Sequence, residues 1–175
     1  MLLIPTLFSM KGFTIILVLV FSTHSVLSQN MDNTTLENIF TTMSDTIQGT
    51  SGRWQFIIKD VMFVCLTDTA HNRMRIISPI TETNQLDEDT KTLLLLANFH
   101  TALDVKYAIS DDVLWSVFIH PLKELTKEQV EDAVSQVYYA HITFGTSFTS
   151  TNLVFPGKQK KEAKRIEKST FKKKT

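Results

Sequence analysis

The stretch that most restricts what this chain can become is residues 87–144, where three carboxylates, a leucine run, two apolar strands and a capped helix follow one another. Asp87-Glu88-Asp89 marks a helix start, because negative side chains stabilise the positive end of a helix dipole. In Leu93-Leu94-Leu95-Leu96-Ala97-Asn98-Phe99, the residues Leu93, Leu94, Ala97 and Phe99 form the side to be buried. Leu95 and Leu96 widen the apolar arc beyond what one sheet needs, so this helix has a second partner to find. Three adjacent acids also raise a cation site. Calcium loops, however, interleave acids with glycine and further oxygen ligands over about a dozen residues, and the helix start is the better reading.

The rest of this half follows from period and punctuation. Residues 105–109 and 113–120 read as a hairpin about Ser110-Asp111-Asp112, with Trp115, Val117 and Ile119 on one face and Leu114, Ser116, Phe118 and His120 on the other. Thr126-Lys127-Glu128-Gln129 is a capping box opening a helix with the stripe Val130, Ala133, Val134, Val137, Tyr138 and Ile142.

The preceding segment supplies a surface for this half to pack on. Thr34-Thr35-Leu36-Glu37 reads as a capping box, and Leu36, Ile39, Phe40, Met43 and Ile47 predict a helix that stops near Gly49. Trp54, Phe56 and Ile58 alternate with polar neighbours as in a strand covered on one side, and Lys59-Asp60 is the hairpin connection. Residues 61–67 carry Val61, Phe63 and Cys65 on one face and Met62, Val64 and Leu66 on the other, which predicts a strand covered on both faces. Residues 74–80 form a third strand, ended by Pro79 because proline cannot donate to a ladder. The expected fold class is α+β, with three helices and an antiparallel sheet in the order α-βββ-α-ββ-α.

Both ends of the chain differ from this body. Residues 13–21 are a run of nine, apolar but for Thr14, about half of what spans a bilayer. Met10-Lys11 before it and Val26-Leu27-Ser28 after it complete the form of a secretory signal, with Met10 the better start and cleavage between Ser28 and Gln29. A retained N-terminal anchor is the alternative. The domains are then residues 1–28 as signal peptide, 29–156 as the folded domain and 157–175 as a tail, and the expected location is secreted or periplasmic. The overall charge of zero hides a segregation: residues 29–156 carry 8 Lys and Arg against 16 Asp and Glu, residues 157–175 carry 9 against 2. Lys158, Lys160, Lys161, Lys164, Arg165, Lys168, Lys172, Lys173 and Lys174 have only Ile166 and Phe171 among them as large apolar residues, too few to fold alone. Such a tail is a solvated end, an arm for anionic surfaces, or a segment that lies on its own acidic domain.

The helix–strand order, together with Leu94-x-x-Ala97-Asn98-Phe99, the hairpin from Tyr107-Ala108-Ile109 to Val113-Leu114, and Leu122-x-x-Leu125-Thr126-x-Glu128-x-Val130, resembles the type III secretion chaperone-like fold, including YbjN-type proteins. The resemblance covers residues 34–146. It implies a non-enzymatic, often dimeric module that holds extended segments of a partner. The export signal departs from the cytoplasmic chaperones.

No catalytic constellation competes with this reading. There is no Gly-x-Ser-x-Gly and no phosphate-binding glycine loop, and five glycines leave little to build one from. His71, His100, His120 and His141 lack the local spacing of a zinc site, Asp111-Asp112 is a turn before it is an acid/base pair, and buried Cys65 reads as a small apolar residue. Asn33-Thr34-Thr35 matches the glycosylation sequon, which matters only in a eukaryotic host. Trp54, Trp115, Tyr138 and Tyr139 are not interleaved with basic residues, so no specific nucleic-acid site is expected. No metal, cofactor or catalytic residue is therefore expected. The excess apolar surface predicts a homodimer and a protein or extended-peptide partner, with Met62 or Phe63 and Trp115 or Phe118 facing beyond the monomer core and Leu95 and Leu96 adding to the contact. The alternative function is an envelope adaptor that meets anionic surfaces through the tail.

Overall fold

The computed structural model describes residues 30–151, so the signal segment, the domain limit at Pro156 and the basic tail lie outside the described residues. The first helix, α1 (Asn33–Met43), is capped by Asp32, whose carboxylate accepts the Thr35 amide at 2.7 Å. The cap is therefore not Thr34. A carboxylate accepts a backbone N–H more strongly than a hydroxyl does, and its bonds to Thr35 hold Asp32 below the usual carboxylate range. The helix also ends earlier than its apolar stripe suggests. Ser44 turns the chain out, its amide and hydroxyl both donating to Phe40 O, and Ile47 lies in a strand, β1 (Thr46–Thr50), opposite Phe56. Gly49 holds that strand against its neighbour at φ +132°, where an added Cβ would come within 2.2 Å of the Arg53 carbonyl oxygen.

Four further strands, one more helix and a final strand–helix pair complete the chain: β2 (Arg53–Ile58), β3 (Val61–Asp68), β4 (Arg73–Glu82), α2 (Glu88–His100), β5 (Lys106–Ser110), β6 (Val113–His120) and α3 (Lys127–Ile142). The order is α-ββββ-α-ββ-α, the expected sequence of elements with β1 added. Lys59-Asp60 and Asp111-Asp112 both carry left-handed backbone at their two central positions, the geometry that matches the twist of a two-residue hairpin. All six strands join in one antiparallel sheet ordered β1-β2-β3-β4-β6-β5.

Pro79 does not end its strand. β4 continues to Glu82 with a shift in its register to β6 between Pro79 and Thr81, while its ladder to β3 stops at Ile77. Continuing that ladder would place Pro79 opposite Met62, whose carbonyl then lacks a backbone donor. The Ser78 hydroxyl supplies one at 2.7 Å. Ser78 Oγ also lies 3.0 Å from Nδ1 of His141 on α3.

The core lies on one face of the sheet, under α1 and α3. Phe56 stacks between Phe40 of α1 at 4.6 Å and Phe63 of β3 at 5.2 Å, and Trp54 meets Phe40 edge-on at 6.0 Å. Val130, Val134 and Val137 of α3 complete the same core with Ile76, Leu114 and Phe118. Helix α2 sits at the β5 end, with Leu94 and Ala97 turned inward and the Asn98 amide bridging both backbone groups of Tyr107, at 2.7 and 3.0 Å. Phe99 is 84% exposed, contrary to the expectation that it is buried. It falls four residues from exposed Leu95, on the flank turned away from the sheet.

His141 gives the fold a pH dependence. Burial pushes its pKa below the ordinary 6.5, against a smaller opposing effect of the Pro79 carbonyl. A histidine lowered on folding stabilises the folded state while neutral, so this contribution is present above 6.5 and is lost as pH falls through the folded-state value. Urea midpoints are expected to drop as pH falls below 6.5. His141→Gln should flatten that slope. Parallel slopes for the two proteins over this range would assign the effect elsewhere.

Candidate functional site

The opposite face of the sheet has no described element across it. Its side chains are set out in rows by the strand register. One row runs Gln55, Val64, Ile77, Val117, from β2 through β3 and β4 to β6. Beside it lie Ile57 and Met62 on β2 and β3, and Pro79 and Trp115 on β4 and β6. The third row runs Arg53, Leu66, Arg75, Ile119. Met62, Val64, Leu66, Ile77, Trp115 and Val117 are all half-buried by their neighbours, and Ile57 and Ile119 are exposed. The prediction that β3 is covered on both faces is thus corrected: its second face is open, and lateral packing among aliphatic neighbours is what partly shields it.

This arrangement divides the expected contact residues. Met62 and Trp115 belong to the open face, where Gln55 Nε2 lies 2.8 Å from Met62 Sδ and Trp115 Nε1 donates to Ser110 O at 3.1 Å. Phe63 and Phe118 lie in the core, 0% and 5% exposed, because alternation along β3 and β6 turns them toward the helices. They therefore do not belong to the open face. Ile57, Ile77, Val117 and Ile119 share the face with Met62 and Trp115. Period-two alternation could have found them once Phe63 and Phe118 were assigned inward.

The face has a charged border. Arg53 and Arg75 flank Leu66 in the third row, about two strand spacings or roughly 9.5 Å apart at the backbone. Among the described residues neither guanidinium has an ion-pair partner. An apolar field with two unpaired guanidiniums along one side suits an apolar segment that carries carboxylates on one edge.

A second apolar surface lies on α2, where Leu95 and Leu96 join Phe99 and the following Leu103 as exposed large side chains. Leu95 and Phe99 are one helical turn apart and Leu96 adjoins them, so they form one stripe. It stands at the β5 end of the molecule, separate from the Arg53–Arg75 border.

The described residues offer little chemistry. No group of three or more His, Cys, Asp or Glu among them could hold a metal ion, and no described helix is long and apolar enough to cross a membrane. Burial pushes the Cys65 thiol far up, which leaves it protonated and unreactive. Tyr107 is likewise pushed up to about 12 by burial and donates its hydroxyl to Ala140 O at 2.8 Å. His71 bonds Asp68 in the β3–β4 turn at 2.7 Å, closing a loop.

No family model matches the sequence, and no curated protein matches it in sequence. Solved structures do match in fold. A chain of the ExsC–ExsE complex superposes with a TM-score of 0.51 at 13% identity, over 65% of this chain and 94% of that one. The structure of the Yersinia pestis type III secretion chaperone SycH in complex with a stable fragment of YscM2 gives 0.50 at 14%, over 65% and 98%. A chain of the HopA1–SchA chaperone–effector complex gives 0.47 at 13%, over 62% and 95%. The fold is type III secretion chaperone-like, α+β, with three helices and an antiparallel sheet.

Proposed function

We propose that this chain is a non-enzymatic, chaperone-like protein-binding module that pairs through α2 and holds an extended segment of another protein on the open face of its sheet. The observation that carries this reading is the apolar field of Ile57, Met62, Val64, Ile77, Trp115 and Val117, which has no described element across it. Contiguous apolar surface of this kind marks interaction sites in folded proteins. The structure of SycH bound to a fragment of YscM2 is in keeping with a segment-holding role. The border of Arg53 and Arg75 favours a client with acidic residues along one edge of an apolar stretch. The segment before Gln29 adds that the module acts outside the cytoplasm, secreted or periplasmic, after cleavage near Ser28.

The test is an array of extended peptides with apolar residues at alternate positions, each made with and without flanking acids, and probed with mature protein. Trp115→Ser combined with Val117→Thr is expected to weaken the bound peptides at least tenfold, while Arg53→Ala with Arg75→Ala removes the preference for acidic flanks. Equal binding by the wild type and the Trp115/Val117 variant, with both shown to be folded, would reject the open face as the site.

A further inference from the structure

A cleft of about 630 Å³ opens between α3, the end of β6 and the loop from α2 to β5, and it reaches the open face at Ile119, the register partner of Arg75. Its walls are apolar, formed by Leu103, Phe118, Ile119 and Leu125, and its rim carries Asp104, Glu128 and Asp132. Two of these carboxylates are set side by side by a buried amide. Gln136, 4% exposed, donates from the same Nε2 to Asp104 at 3.1 Å and to Asp132 at 2.7 Å, while its Oε1 accepts the Asp104 amide at 3.0 Å.

Like charges held this close repel unless a cation comes between them. Among the described residues none of the three carboxylates has an ion-pair partner. The one lysine in the cleft, Lys106, turns its ammonium to the carbonyls of Ala102 and Leu103 instead. The cleft thus combines an apolar floor with a fixed pair of carboxylates and a third nearby, in excess over the single ammonium of Lys106. It fits an extended segment that alternates Lys or Arg with a few large apolar side chains.

The described chain ends beside this cleft. The buried Ser150 hydroxyl accepts the amide of Leu103, one of the lining residues, at 2.8 Å, and Thr151 follows. Lys158 lies seven positions beyond Thr151, an extended reach of about 23 Å. Beyond it Lys164-Arg165-Ile166 and Phe171-Lys172 pair cations with the only large apolar side chains of the basic segment. Screening restricts exposed charges to about 8 Å at physiological salt, so a basic segment interacts with acids it can touch, and the exit point places these within reach.

We propose that the cleft between α3 and β6 is the docking groove for this chain's own basic C-terminal segment, residues 157–175, held by Asp104, Glu128 and Asp132. The contact is intramolecular. It keeps the cations of the segment away from external polyanions until a competitor, or high salt, releases them.

The experiment uses the full mature chain in two forms, wild type and the triple variant Asp104→Asn, Glu128→Gln, Asp132→Asn, with thermal unfolding used to confirm that both are folded. Zero-length carbodiimide coupling in low salt, read by peptide mass spectrometry, is expected to join lysines of residues 158–174 to these carboxylates within one chain. Binding to phosphatidylcholine vesicles containing a minority of phosphatidylglycerol is expected to rise several-fold in the variant, because the segment is freed. Cross-links spread over remote carboxylates such as Asp45 and Asp111, or links found only between differently isotope-labelled chains, would overturn intramolecular docking. Vesicle binding equal in the two proteins would do the same and assign the segment to anionic surfaces alone. Should the triple variant unfold, Asp132→Asn by itself keeps the vesicle comparison decisive.

Discussion

Phe56→Ala is expected to lower the stability of the domain by about 3–5 kcal/mol, the range for removing a buried phenyl ring from a packed core. Phe56 is 1% exposed and lies between two rings, stacked on Phe40 at 4.6 Å and on Phe63 at 5.2 Å. Its removal therefore separates α1 from β3 as well as forfeiting its own burial. Domains are stable by only about 5–15 kcal/mol, so the loss is a large part of the whole. With a urea dependence of about 1–3 kcal/mol per molar, the midpoint should fall by more than about 1 M. Ile109→Ala serves as the control, since Ile109 is 51% exposed on β5 and belongs to neither proposed contact surface. A change below about 1 kcal/mol for Phe56→Ala would mean that the three-ring stack does not join helix to sheet as described.

The second large effect concerns assembly. Mature protein at micromolar concentration is expected to scatter light as a dimer, and Leu95→Asp with Phe99→Asp to scatter as a monomer. Leu95 and Phe99 are 71% and 84% exposed on one stripe of α2, whose other side is fixed to the sheet by Leu94, Ala97 and the Asn98–Tyr107 bonds. Covering each such side chain contributes about 1.5–3 kcal/mol, so losing two per subunit weakens association by at least roughly a hundredfold. Trp115→Ser is expected to leave the mass unchanged while weakening peptide capture, because the open face and the α2 stripe are separate surfaces. A wild-type chain that stays monomeric to millimolar concentration removes the dimer, and a variant that stays dimeric moves the contact away from α2.

Much of the architecture was legible because local chemistry and tertiary demand agreed. Thr126 and Gln129 form the reciprocal cap expected of them, and Lys59-Asp60 and Asp111-Asp112 adopt the left-handed turns that short polar pairs favour between strands. The failures fall where two periods fit the same residues. Ile47 completes a helical stripe after Met43, yet Ser44 ends the helix through its bonds to Phe40 O and Ile47 is half-buried equally well in β1. Pro79 reads as a strand end, and does interrupt the ladder to β3, but pairing with β6 carries the strand onward while Ser78 bonds the carbonyl left over.

The candidate surfaces divide on the same ground. By itself the sequence determined the three helices and five of the six strands, the alternation that puts Met62 opposite in direction to Phe63 and Trp115 to Phe118, and the charge separation between residues 29–156 and 157–175. Those follow from the period of the backbone and from composition, which need no knowledge of neighbours. Which of the two faces of β3 and β6 is covered was decided only by the tertiary structure, because both are apolar and both helices α1 and α3 settled on one side. The same holds for the cleft: Asp104 and Asp132 lie on different elements, and only folding brings them to the single amide nitrogen of Gln136, where their mutual repulsion makes the position receptive to a cation.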